Sequence, residues 1–345
     1  GGASGGGLLL AAGLLTSLSV KRVLQRRRRT PGETIAMPDP QTAALEQVLG
    51  ATQEPASVDL LDRALRTLAH TATQDGNDLP ALRGAKVTHR SIHLLPDDPT
   101  CAPYGPFTRT ETSPWWTLTS PDQLLPDDQA AQTPAPYPGL VTLGADSDES
   151  HLLLNLPHAR TLLLDGTDED VLAAARAIAL EAANSSWSDH ADILTVGLGS
   201  DIAALLPTGR LRPIPHLRAA LSDLGELLLE AHQNQQTDNP PVLPWMLICA
   251  AEATEDDAWQ LADAVARAQH LPVALVLPAR IAAASFPDAE RLDASATGLQ
   301  PCHLLESDLA LQSISATQYA EFVSLLHTTE EPAQPAEGAW ENVPA

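Results

Sequence analysis

Apolar residues along this chain fall into two patterns. The first has helical spacing. From Ser57, SVDLLDRALRTLAHTATQ puts Leu60, Leu61, Ala64, Leu65 and Leu68 on one face, with Ser57 or Asp59 as N-cap. MPDPQTAALEQVL starts another helix around Pro40. The second pattern is a short, uniformly apolar run: RTLLLD (160–165), DILTVGLG (192–199), PWMLICA (244–250) and PVALVLP (272–278). Amphipathic stretches follow, from Asp168 to about Asn184 and over 215–236 and 254–269. CHLLES (302–307) is a further candidate strand before a closing helix at 316–327. Strands that are apolar on both faces and alternate with helices predict an α/β fold with a mostly parallel sheet covered by helices.

Upstream the pattern changes. AKVTHRSIHLL (85–95) alternates as one strand, and WWTL (115–118) is placed to pair with it. GLVTLG (139–144) and HLLLNL (151–156) flank ADSDES as a hairpin with an acidic tip. These patterns divide the chain into a transmembrane helix (1–20), a basic juxtamembrane linker (21–35) and a small α+β module (36–120). A Pro-rich linker (121–138), the α/β domain (139–328) and a disordered acidic tail (329–345) complete the expected organisation.

Charge sharpens the reading of the N-terminus. Residues 1–20 carry no charge, and as a helix rising about 1.5 Å per residue they reach about 30 Å, the thickness of a bilayer core. Lys21, Arg22, Arg26, Arg27, Arg28 and Arg29 follow before the first acidic residue, Glu33. That leaves 14 of the 20 basic residues against all 44 acidic ones, a net of −30. A secretory signal would carry its positive charge ahead of the apolar stretch, the reverse of this order. The basic cluster is expected to contact the membrane surface and to hold the body on the cytoplasmic side. So acidic a body repels nucleic acid, and no nucleic-acid partner is expected. Cys101, Cys249 and Cys302 have neither disulfide-framework nor zinc-site spacing, which fits a reducing compartment.

The place to look for chemistry in a parallel sheet is the loop after its first strand. Here it reads DGTDEDVLAAA. A phosphate-binding loop needs a second glycine, a lysine and a hydroxyl, where this sequence has Val171, Leu172 and Ala173. The segment Gly166, Thr167, Asp168, Glu169 and Asp170 therefore reads as a degenerate nucleotide loop, with Thr167 capping an acidic helix start. GLGSDI (197–202) lacks the third glycine of a dinucleotide fingerprint. Asp146 and Asp148 lack the later glutamate of a calcium loop, and His89 with His93 lacks a completing ligand. Glu252 alone is not a site, and Trp115, Trp116 and Trp187 read as packing anchors. No catalytic residue, cofactor or metal is assigned.

The run PYPGLVTLGADSDESHLLLNLPHARTLLLDGT, the alanine-rich helix and NSSWSDHADILTVGLG resemble a segment of large actinobacterial multi-pass membrane proteins. Those proteins combine transmembrane helices with LysM and bacterial transcriptional activator (BTAD) domains. KRVLQRRRRTPGE and DLLDRALRTLA fit the same segment, but no LysM or BTAD sequence is present. The order of elements from 160 to 278 is also similar to the core of FtsK-type DNA pumps, whose first strand runs into GTTGSGKS. Gly166 and Thr167 match, and the phosphate-binding remainder does not. The resemblance implies a degenerate P-loop-like core. The expected function is a non-enzymatic, membrane-anchored scaffold or regulatory protein with an unidentified protein partner. The alternatives are a nucleotide-dependent ATPase of FtsK-like ancestry and part of a membrane-bound transcriptional regulator.

Overall fold

The structure is a computed structural model that describes residues 33–34, 55–88, 90–188, 190–201, 203, 206, 209–234, 244–330 and 334–335. The apolar stretch 1–20, the cluster Lys21 to Arg29, the helix expected near Pro40 and His89 lie outside these residues. Among the described residues, no helix is long and apolar enough to cross a membrane.

Two large sheets organise the molecule. The parallel one has the order β10–β9–β11–β12–β8–β13: Leu211–Pro213, Asp192–Val196, Trp245–Cys249, Val273–Pro278, Thr161–Asp165 and Glu290–Asp293. Its helices are the short α3 (Leu156–Ala159), α4 (Asp168–Asn184), α5 (Leu217–Asn234), α6 (Glu255–Arg267), the short α7 (Ala279–Ala282) and α8 (Ala316–Glu330). Successive strand residues serve opposite faces, as a pleat requires. Leu162, Leu164, Met246, Ile248, Ala274 and Val276 pack with α4 and α8. Leu163, Leu247, Cys249, Val273, Leu275 and Leu277 pack with α5, α6 and α7. Burial on both sides explains why these strands read as continuous apolar runs.

The other sheet is antiparallel, in the order β14–β15–β6–β7–β2–β3–β5–β4. These strands span Gln300–Cys302, Ser307–Leu311, Leu140–Ala145, His151–Asn155, Leu82–Val87, Ile92–Pro96, Trp116–Leu118 and Phe107–Thr108. One face meets α4 and α8 through Val141, Leu143, Leu152 and Leu154. The opposite face is covered by α1 (Pro55–Asp75) through Leu61, Leu65 and Leu68. Helix α4 therefore lies between two sheets. Its alanines Ala174, Ala175, Ala177, Ala179, Ala182 and Ala183 are buried beside the larger Val171, Ile178 and Leu180, and the small side chains let the two sheets approach the helix.

Several expectations change. The strand expected over 85–95 is two, because a turn reverses the chain: Thr88 Oγ1 accepts from the amides of Arg90 (3.2 Å) and Ser91 (2.9 Å). The division into a module at 36–120 and a domain at 139–328 does not match the cores. β7, from the second segment, pairs with β2 of the first in the register Gly84↔Leu154 to Val87↔His151. The stretch 121–138 contains α2 (Asp127–Gln132) and is tied to α1. Arg63 donates to Leu125 O at 3.0 Å and Arg66 to Thr133 O at 2.6 Å. The tail expected to be disordered over 329–345 includes β16 (Gln334–Pro335), which pairs antiparallel with β1 (Glu33–Thr34).

Candidate functional site

All six strands of the parallel sheet run the same way, so their carboxyl ends gather loops along one edge. The loop after β8 is the degenerate one. Thr167 is the N-cap of α4: its Oγ1 accepts from the Asp170 amide at 3.2 Å and donates to Asp170 Oδ2 at 2.6 Å. Gly166 has φ +121°, which favours glycine, and a β-carbon there would lie 3.2 Å from the Ser295 amide. The loop is thus closed against the turn after β13, where Asp293 Oδ1 accepts from the Ser295 amide at 2.9 Å. Those hydrogen bonds, the Ser295 hydroxyl's foremost, hold the Asp293 carboxyl below its ordinary range.

Carboxylates dominate this loop, and arginines already meet two of them. Asp165, at the end of β8, accepts from Arg291 Nε at 3.0 Å, and Asp168 pairs with Arg280 Nε at 2.9 Å. The chain has only two lysines, Lys21 and Lys86. Lys86 is on β2 in the antiparallel sheet, paired with Asp146 at 2.5 Å. Among the described residues, the parallel sheet and its loops therefore offer no lysine to a phosphate here. At an effective dielectric near 20, a phosphate charge about 4 Å from one of these carboxylates is repelled by about 4 kcal/mol.

The neighbouring loops are filled by protein. After β9, Gly197 and Gly199 have φ of +80° and +96°. A β-carbon would lie 2.6 Å from Ala251 Cβ at the first and 2.8 Å from the Tyr319 hydroxyl at the second. The Arg176 guanidinium stacks 3.8 Å from the Tyr319 ring centroid. The glycines at 197 and 199 answer to this packing. Glu252 follows β11, with β12 between it and the β8 loop, about 10 Å at two strand spacings. It lines an open cleft of about 180 Å³ with His216, Arg218 and Asp257. Arg218 is already bound to Asp257 at 3.2 Å.

The other residues singled out in the sequence have structural partners. Asp146 caps the β6–β7 turn, accepting from the Asp148 and Ser150 amides, both at 2.9 Å. Burial raises its pKa, but Lys86 and these amides outweigh that and hold it low. His93 meets Thr117 Oγ1 at 3.0 Å, and burial lowers its pKa. Trp116 and Trp187 are buried, and Trp187 Nε1 donates to Leu140 O at 2.8 Å. Burial pushes the Cys249 thiol up to about 11 and the Cys302 thiol up to about 12. Among the described residues no group of three or more His, Cys, Asp or Glu side chains gathers as a metal site.

Two features escaped the pattern of the sequence. One is Glu181 on α4, 3% exposed, accepting from Thr142 Oγ1 at 2.8 Å. The other is a groove between α5 and α6 with Leu229 and Trp259 open to solvent.

No family model matches the chain, and no curated protein matches it in sequence. Solved structures with partial likeness are FtsK-type ATPase domains. The cytoplasmic domain of the type VII secretion ATPase EccC of Thermomonospora curvata is 12% identical, with a TM-score of 0.34. The match covers 54% of this chain and 26% of that one. ATPases 2 and 3 of the same protein, solved with a signal sequence peptide, give 12% and 0.36, over 64% of this chain and 57% of that one. EssC (ATPases 2 and 3) from Geobacillus thermodenitrificans gives 12% and 0.37, over 55% and 45%. This chain thus spans between a quarter and somewhat over half of these proteins. Likeness at such scores carries no functional argument; the loop chemistry above stands without it.

Proposed function

We propose that this chain is a non-enzymatic scaffold or regulatory protein, with an α/β body that binds protein partners. Its apolar and basic leader, residues 1–29, tethers that body to the cytoplasmic face of a membrane. One observation carries the reading of the body. At the edge where a parallel sheet of this kind would hold phosphates, the chain has Asp165, Asp168, Glu169 and Asp170, two of them bound to arginines, and no lysine among the described residues. The chemistry of nucleotide binding is replaced there by contacts that hold the fold together. The charge step between leader and body supports the tether.

Calorimetry of the full chain with ATP or GTP and magnesium tests this. The expected result is no binding heat, because one like charge at contact offsets about half of a micromolar affinity of about 8 kcal/mol. Micromolar binding abolished by substitutions at Gly166–Asp170 would replace the scaffold reading with a nucleotide-dependent one.

A further inference from the structure

The proposed scaffold leaves open where a partner docks, and the outer helix layer addresses that. Helices α5 and α6 enclose a groove of about 590 Å³. Leu221, Leu228 and Ala264 contribute to its lining, with Leu229 on one helix and Trp259 on the other. These last two are 60% and 62% exposed. The exposed large apolar side chains among the described residues are Leu79, Leu229, Trp259 and Leu299, so half of them converge on one groove.

Gly225 is a second, independent observation. It sits within α5 and lines the groove. A β-carbon there would meet nothing within 4 Å, and its φ is not positive. Neither packing nor backbone geometry asks for glycine at this position, although glycine in a helix interior is less stable than alanine. What the missing side chain provides is open space in the groove.

The charges select the occupant. Asp263 of α6 is the one carboxylate in the groove's lining, and outside the lining Glu226 and Glu230 of α5 and Asp256 of α6 are exposed. Against them stand His232, Arg218 and Arg267, both arginines already paired, with Asp257 at 3.2 Å and with Asp263 at 2.6 Å. A second copy of this chain would bring the same carboxylates together, within a body of net −30. A basic partner would be drawn in. We propose that the α5–α6 groove docks an amphipathic helix whose apolar ridge is flanked by Lys or Arg. Two adjacent helices offer a seat for a third at ordinary interhelical distance, and an exposed tryptophan is the usual anchor of such a seat.

The test uses the full chain and a fluorescent helical peptide of about 18 residues, with a leucine ridge and lysine flanks. Its control has glutamate at every lysine. The lysine peptide should bind, and the glutamate peptide should bind at least about tenfold more weakly. Trp259→Ser should weaken the lysine peptide by about tenfold or more. Gly225→Leu should do the same by filling the groove, while leaving the unfolding midpoint unchanged or higher. Reversing Glu226→Lys and Glu230→Lys should narrow or invert the preference between peptides. Equal binding of both peptides, or binding indifferent to Trp259→Ser and Gly225→Leu, would overturn the proposal. So would a dimer in sedimentation that these variants abolish, since the occupant would then be a second copy. This deepening rests on the scaffold reading, but nucleotide calorimetry tests that reading separately, so the two fail independently.

Discussion

Replacing Glu181 with glutamine should remove a large pH dependence from the stability of this fold. Glu181 lies on α4 where the helix meets the antiparallel sheet, and its carboxyl accepts from Thr142 Oγ1 at 2.8 Å. Gln312 Nε2, on the β15 side, donates to the Thr142 carbonyl at 2.6 Å. Burial pushes the carboxyl up from 4.5 to about 7, against the opposing pull of the Thr142 hydrogen bond. The folded pKa is therefore above the unfolded one. Below about 4.5 both states hold the proton and nothing is lost; from there to about 7 only the folded state holds it, and stability falls as pH rises. At about 1.4 kcal/mol per pH unit, the loss accumulates to roughly 3 kcal/mol. Glutamine keeps the acceptor oxygen and removes the titration. Its amide N–H groups need a new acceptor, which costs about 1–3 kcal/mol at every pH if none is found. The informative quantity is thus the pH slope. Urea unfolding at about pH 5 and pH 8 should show the variant gaining about 2–3 kcal/mol on the parent between the two conditions, since part of the loss precedes pH 5. Parallel curves for parent and Glu181→Gln would refute the reasoning.

Two further outcomes follow from the packing. Gly197→Ala should destabilise by about 2 kcal/mol or more, because φ is +80° and the new methyl would lie 2.6 Å from Ala251 Cβ; an unchanged thermal midpoint would contradict this close approach. A fragment of residues 137–328 should fail to fold cooperatively, since β7 loses β2 and the face containing Leu140, Leu153 and Trp187 loses α1. A sharp near-UV circular dichroism melt from that fragment would contradict the shared sheet.

What the sequence made legible depends on how many faces each element buries. The central strands β8, β9, β11 and β12 bury two, so their residues form unbroken apolar runs that admit one reading. The edge strands β10 and β13 do not. Arg212 and Pro213 are exposed in β10, and β13 alternates buried and exposed residues over only Glu290–Asp293. Such short segments give no run to recognise. The hairpin of β2 and β3 was hidden differently. Its turn is built by the Thr88 hydroxyl rather than by glycine, so alternation looked continuous from 85 to 95. The shared sheet was least visible, because the pairing of β7 with β2 joins residues on either side of a Pro-rich stretch that composition marks as a boundary.

The same logic separates the two candidate sites. The degenerate loop was legible because a phosphate loop is a local string, and the replacement of lysine by Leu172 can be seen without a fold. The groove is not a string. Its residues come from α5 and α6, which flank β11 in sequence and touch only because the strands between and beside them set their spacing. A trace was nonetheless present. In α6 the core positions Ala258, Leu261 and Val265 define one face, and Trp259 falls off it. In α5 the run Leu227, Leu228 and Leu229 is too wide for the face that Leu217, Ala220, Leu224 and Ala231 bury. An apolar residue outside the stripe its helix needs for folding is not explained by the fold. When two such residues, one on each helix, line a single groove beside an unneeded glycine, folding alone does not account for the surface, and this is the ground for the proposed docking of a helix there.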